Sequence, residues 1–154
     1  MKAQEWQATV IETTAKTLAH ALATTQPDRQ DWRPSLDETS KTRSALDQIT
    51  ECIEINRMAA ALVQGKQPAA RTGDRTFGSA EEAGSQLLAS ASELAAAVRG
   101  LSDEQFEASL TTHRGPMQAA AFISRVTGNM AYHSGQINFI QTLYGDTEFH
   151  VPAQ

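Results

Sequence analysis

The sequence carries a single cysteine, Cys52, which excludes an intrachain disulfide and a cysteine-cluster zinc site. It lacks long apolar runs. Stretches such as Leu94 to Val98 are far too short to cross a bilayer, so no membrane partner is expected. The opening residues, Met1-Lys2-Ala3-Gln4-Glu5-Trp6, lead into mixed polar sequence without a leader-like apolar stretch, and the expected location is the cytoplasm. An excess of positive charge is absent as well. The 13 Lys and Arg residues face 18 Asp and Glu, for a formal net charge of −5. With a pI near 5.3 and no basic aromatic stripe, a general nucleic-acid binder is excluded. Alternating β-branched runs are scarce, and no internal repeat is visible. What is abundant is alanine, about a sixth of the chain and the best helix former. Hydrophobic residues at 40% and charged ones at 20% exclude wholesale disorder. At 154 residues the chain reads as one domain, 1–154, around one core.

Four segments carry helical periodicity. The first runs from about Ala3 to Ala23. Ala3, Val10, Thr14, Leu18 and Ala21 share its face, flanked by Trp6, Ile11 and Leu22, and Pro27 bars continuation. A polar connector, Asp28 to Lys41, follows, with Trp32 as its packing anchor. The second helix spans Arg43 to Gln64, capped by Thr42 or Ser44 with Asp47 in its first turn. Its inner face is Ala45, Ile49, Cys52, Ile53, Asn56, Ala60 and Val63, and Gly65 stops it. After a loop from Gly65 to Gly78, Ser79 and Glu82 form a capping box for the third helix. Its stripe is Ala80, Gly84, Leu87, Ala91, Leu94 and Val98, and Gly100 ends it. Leu101 to Gly115 is irregular, with a short extended piece around Phe106 to Thr112. Pro116 suits the first position of the fourth helix, which runs to Tyr144 and stops at Gly145. Its seam is Ala119, Ile123, Val126, Met130, His133, Ile137, Ile140 and Tyr144, spaced alternately four and three. The fold class is therefore all-α, a four-helix bundle with a long connection between helices 2 and 3.

His133 falls at the centre of the fourth helix's apolar face, among Val126, Ile137, Ile140 and Tyr144. A buried polar group there needs a partner. Asn129 and Gln136, each about one turn away, extend it into a polar strip, and such strips inside bundles are where metal and ligand sites are built. The competing reading is a hydrogen-bonded core histidine. His20, His113 and His150 lie off the apolar faces and carry less information.

The segment Tyr132-His133-Ser134-Gly135-Gln136-Ile137 resembles the Y-H-x-G-Q-I signature of the last helix of DinB-like (YfiT-like) proteins. Asp31-Trp32-Arg33-Pro34 and Thr42-Arg43-Ser44-Ala45-Leu46-Asp47-Gln48-Ile49 resemble that family's W-x-P and R-S turn into its second helix. The resemblance covers nearly the whole chain. It implies a DinB-like four-helix bundle, often dimeric, in which three histidines bind a divalent metal, one from the second helix and an i, i+4 pair from the last. It also implies a thiol-dependent transferase or isomerase using a low-molecular-weight thiol. Carried over residue by residue, His133 matches the second histidine of the pair. Asn129 stands where the first is expected, and Glu51 stands near the position of the second-helix histidine. Glu51, Asn129 and His133 are thus the candidate metal set for zinc, nickel, manganese or iron. Glutamate and histidine are ordinary ligands, whereas a neutral amide is a poor one. By periodicity alone Glu51 sits at the edge of its apolar face, where a solvated carboxylate is the other reading. Asn129 or Glu51 would equally serve to orient the His133 ring. Cys52 reads as a small buried hydrophobe.

Two functions follow. One is a divalent-metal-dependent thiol transferase, or a hydrolase, with a degenerate metal site. The alternative is a non-catalytic bundle that has lost the metal and binds a small molecule or forms a dimer. A homodimer is expected from the resemblance and from wide apolar arcs.

Overall fold

Four long helices form where the apolar stripes fall: α1 (Ala3–Thr24), α2 (Ala45–Val63), α3 (Ala80–Arg99) and α5 (Ala119–Leu143). The computed structural model describes residues 1–35, 41–112, 114–150 and 152. Residues 36–40 of the expected connector, His113, and tail residues 151 and 153–154 lie outside the described residues. Around the bundle, α1 packs on α3 and α5, and α2 packs on the same two helices. Ile11, Leu18, Ile49, Leu87, Leu94, Ile123, Met130 and Ile137 meet at the centre, all under 2% exposed. No helix among the described residues is long and apolar enough to cross a membrane.

Local chemistry sets the helix ends. The Ser44 hydroxyl accepts from Asp47 N–H at 3.2 Å, and the Asp47 carboxylate accepts from Ser44 N–H at 2.9 Å, so α2 starts in a reciprocal capping box. At α3 the Ser79 hydroxyl accepts from Glu82 N–H as expected. Glu82 itself reaches one residue further back, accepting from Gly78 N–H at 2.8 Å, so the reciprocal half of that box is displaced. Both α2 and α5 end in a left-handed glycine, Gly65 (φ 70°) and Gly145 (φ 94°). In each case the next residue donates back to a carbonyl of the last turn, Lys66 to Ala61 and Asp146 to Gln141. Trp32 does anchor its connector, edge-on to Tyr144 at 6.1 Å with the Arg29 guanidinium over both rings.

Two expectations are corrected. The buried face of α1 is Gln4, Gln7, Ala8, Ile11, Ala15, Leu18, Ala21 and Leu22, rotated from the one read by hydrophobicity, and Trp6 is 58% exposed. Buried glutamines misdirect that reading. Gln4 donates to Asp103 at 2.7 Å and Gln7 to the Thr127 hydroxyl at 3.4 Å, so both are partnered inside. Pro116 does not open the last helix. A short helix α4 (Asp103–Glu107) leads into an antiparallel hairpin, β1 (Ser109–Thr112) and β2 (Gly115–Gln118), with Thr111 opposite Pro116. A two-stranded ribbon consists only of edge strands, where a residue without an N–H is tolerated. The helix then begins at Ala119.

Candidate functional site

The site lies in the cleft between α2 and α5. On α2, Gln48, Glu51, Ile55 and Met58 recur every three or four residues along one stripe. On α5, Phe122, Val126, Asn129, His133 and Gln136 do the same. Chain spacing alone thus sets two facing rows. The first pocket between them has a volume of about 460 Å³ and is lined by Gln48, Glu51, Asn129, His133 and Gln136, with Arg43 and Lys41 on the approach.

His133 is 4% exposed. Its Nδ1 faces two amide oxygens, Gln48 Oε1 at 3.1 Å and Gln136 Oε1 at 2.7 Å. The Gln136 amide is oriented in turn by donating from Nε2 to the Tyr132 hydroxyl at 3.0 Å. Two acceptors on one ring nitrogen require that nitrogen to carry the proton. Desolvation by burial holds the His133 pKa below its ordinary value, against the upward pull of Gln136 and with help from the Arg43 charge. The ring is therefore neutral, protonated on Nδ1, with a bare lone pair on Nε2. That lone pair is buried and has no hydrogen-bond partner among the described residues.

Glu51 stands 3.7 Å from this nitrogen through Oε2. Neither a solvated carboxylate nor a partner for the ring, it is ion-paired to Arg43 through the same Oε2 and lies 3.8 Å from Arg71 through Oε1. Asn129 does not turn its oxygen to the ring. Asn129 Oδ1 accepts from the Cys52 thiol at 3.6 Å, on the core side of the cleft. Cys52 is fully buried, and desolvation pushes its thiol up to about 12, slightly offset by Arg71. It is a packed core residue, as expected.

The sequence pattern of the DinB superfamily matches residues 10–137, most of the chain and all four long helices in whole or part. The chain is a member of the DinB superfamily. A crystal structure of a conserved protein from Enterococcus faecalis has the same fold, with a TM-score of 0.72 at 12% identity, over 93% of this chain and 97% of that one. No curated protein matches the sequence.

The resemblance read from the sequence implies a divalent metal, and the residues present do not fit one. The His133 lone pair suits a metal, and its Nδ1–H held by amide oxygens is the outer arrangement metal-bound histidines use. The rest of the set fails. The Arg43 guanidinium sits on the Glu51 oxygen nearest His133, so a divalent ion there would have to displace that cation. Asn129 has one ligand atom, its oxygen, and that oxygen is turned to Cys52. Among the described residues no group of three or more His, Cys, Asp or Glu side chains is placed to hold a metal.

Of the candidates, then, Glu51 and His133 are brought together and Asn129 borders the same pocket with its amide facing elsewhere. Reading the sequence missed Gln48, Arg43 and Arg71. Gln48 lies one turn before Glu51 on a helix with Ile49 and Ile53 inside, and it is 2% exposed. That spacing was the one available signal. Arg43, expected as the first residue of the second helix, lies before its Ser44 cap, and Arg71 reaches the site from the following loop, where no periodicity places it.

Proposed function

We propose that this DinB-superfamily protein binds a small polar molecule in the His133 pocket without a divalent metal and without catalysing a reaction, in the cytoplasm. The observation that carries this reading is the Arg43 guanidinium on Glu51, beside the unpartnered Nε2 of His133. The guanidinium of Arg43 occupies the side of Glu51 where the resemblance implies a metal. The pocket offers an acceptor, His133 Nε2, and cations at its mouth, Arg43 and Lys41. A ligand with a hydroxyl or ammonium donor and an anionic group fits that pattern. The test is elemental analysis of protein purified without a metal-affinity step, before and after soaking with zinc or nickel. The expected result is no stoichiometric metal in either sample. Near-stoichiometric metal that disappears in His133→Ala overturns the reading.

The bare His133 lone pair favours a second reading, a metal-dependent thiol transferase or hydrolase with Glu51 and His133 as ligands. It requires Arg43 to leave Glu51, and the same metal analysis decides between the two.

A homodimer is also proposed. On α5, Tyr132 and Phe139 are each 63% exposed and Leu143 is 50% exposed, and their spacing puts them on one face. Light scattering at tens of micromolar protein tests it, since an interface of ordinary size persists there. A particle of twice 16.7 kDa is expected, and Phe139→Glu should return it to the monomer mass.

A further inference from the structure

The α2–α5 cleft does not end at Glu51 and Asn129. Both residues also line a second pocket, about 400 Å³, on the far side of them from His133. Its chemistry differs. The floor is apolar, built from Ile55 and Met58 of α2 and Phe122 and Val126 of α5, and the hairpin adds Met117 as a roof. Around it stand Arg71, Arg114 and Arg125, against a single carboxylate, Glu51. Arg71 is engaged by Glu51 and Glu54. The guanidinium groups of Arg114 and Arg125 have no acidic or hydrogen-bonding partner among the described residues.

In a chain of net charge −5, two arginines that line one apolar pocket and lack a partner among the described residues make a local positive field. A guanidinium is a planar fork suited to a carboxylate, and methionine with phenylalanine forms a surface that adapts to varied apolar shapes. The volume lies in the range of small-ligand pockets. We propose that this second pocket binds an amphipathic organic anion, its carboxylate on Arg114 and Arg125 and its hydrocarbon body on Met58, Met117 and Phe122. The pocket extends the ligand-binding reading of the cleft and rests on it only in taking the cleft as a binding surface: Glu51 and Asn129 border both pockets, but Arg114, Arg125, Met117 and Phe122 line only the second.

Octanoate and octanol are the probes, titrated into the full chain while amide shifts are followed by NMR. Octanoate is expected to shift residues of the hairpin and the first turns of α5, and to bind at least tenfold more tightly than octanol, the scale of one charge-assisted contact. The double variant Arg114→Gln/Arg125→Gln should lose roughly that tenfold for octanoate and leave octanol unchanged. Both arginines are exposed, so the variant keeps the fold, and an unchanged melting temperature verifies this. Met117→Gln should weaken both probes together. Equal affinity for the two probes overturns the proposal, as does an unaltered octanoate affinity in the double variant. Shifts confined to residues around His133 overturn it as well while leaving the His133 pocket intact as a binding site. The metal-free reading stands or falls separately, on metal content.

Discussion

Asn129 gives its amide oxygen to the Cys52 thiol, 3.6 Å away and on the other helix of the cleft. This one contact ties α5 to α2 beneath the pocket and decides what Asn129 offers to a ligand. With the oxygen engaged by the thiol, the amide N–H groups, which have no hydrogen-bond partner among the described residues, are donors for the pocket. A position that a metal-binding relative would use for a lone pair becomes, in this chain, a hydrogen-bond donor. The pocket thus has acceptor character at His133 and donor character at Asn129.

Burial at this contact makes Cys52 inert. Its thiol is fully buried and is held near a pKa of about 12 by desolvation. The thiolate is the reactive form, and at neutral pH it is negligible. Native protein should therefore resist iodoacetamide, labelling only as fast as the cleft opens, whereas guanidinium-unfolded protein labels at once. Stoichiometric modification of native protein within minutes would show that the cleft is open. Cys52→Ala should cost about 1 kcal/mol through the lost sulfur packing and the unpaired Asn129 oxygen.

His133 makes stability depend on pH with a defined sign. Its folded-state pKa lies below the ordinary value of 6.5, first because burial disfavours the cation. As pH falls through 6.5 the unfolded chain takes up this proton while the folded chain does not, so the unfolded state gains and stability falls. The decline ends at the folded-state value. Melting curves of wild type and His133→Leu between pH 7.5 and pH 5, a range set around the unperturbed histidine pKa, should diverge. Wild type loses the greater share on acidification, and parallel curves would contradict a buried neutral ring. At the upper end of that range His133→Ala should cost about 1–3 kcal/mol, because it leaves the Gln48 oxygen without its donor.

Much of this bundle was legible in its sequence, and the reasons are specific. The seam of α5 is a strict three-four alternation, and every member except half-buried Tyr144 is buried. The inner face of α2 is buried throughout. The errors came where polarity and burial part company. Gln4 and Gln7 look like surface residues until Asp103 and Thr127 arrive from elsewhere in the fold. The hairpin was half visible, since an extended piece ending at Thr112 was expected, but its return strand includes a proline whose fixed φ also suits a helix start. Of the site, His133 stood out because a polar side chain on a seam demands explanation. Arg71 could not be placed, because it comes from a segment without periodicity, and Arg43, read as the first residue of the second helix, lies before its Ser44 cap and meets Glu51 only in three dimensions.

A second pH effect arises at the start of α2. Arg75, from the loop between α2 and α3, donates to Asp47 at 2.6 Å, to Asp31 at 2.9 Å and to the Ser44 hydroxyl at 3.3 Å. Burial alone would raise the Asp47 pKa, but Arg75, the Ser44 N–H and Arg33 together hold it at about 2. A depressed carboxylate stabilises the fold above its unfolded value of 3.8, and that stabilisation is lost as pH falls towards 2. Arg75→Ala should move acid unfolding to higher pH, followed by circular dichroism, with little change at neutral pH beyond the loosened loop. An identical acid midpoint in the variant would mean that Arg75 does not hold Asp47 in solution.

The decisive prediction concerns what separates this cleft from a metal site. Two obstacles stand in it: an amide in place of a histidine at residue 129, and the Arg43 cation on Glu51. Asn129→His restores an i, i+4 pair with His133 on one helix face. The outer shell is already in place, since Gln48 and Gln136 hold the His133 Nδ1–H and leave Nε2 free. Glu51, however, remains neutralised. Asn129→His alone should therefore bind zinc weakly, and Arg43→Ala/Asn129→His should bind it at least tenfold more tightly, the size of effect that groups around the ligands commonly exert on metal affinity. Competition with a chromophoric chelator measures both. Binding should weaken as pH falls through the histidine range, because coordination requires neutral imidazoles. If the single variant binds as tightly as the double one, Arg43 is no barrier and the guanidinium does not stand in for the metal. If wild type binds zinc as tightly as either, the metal-free reading is wrong from the start.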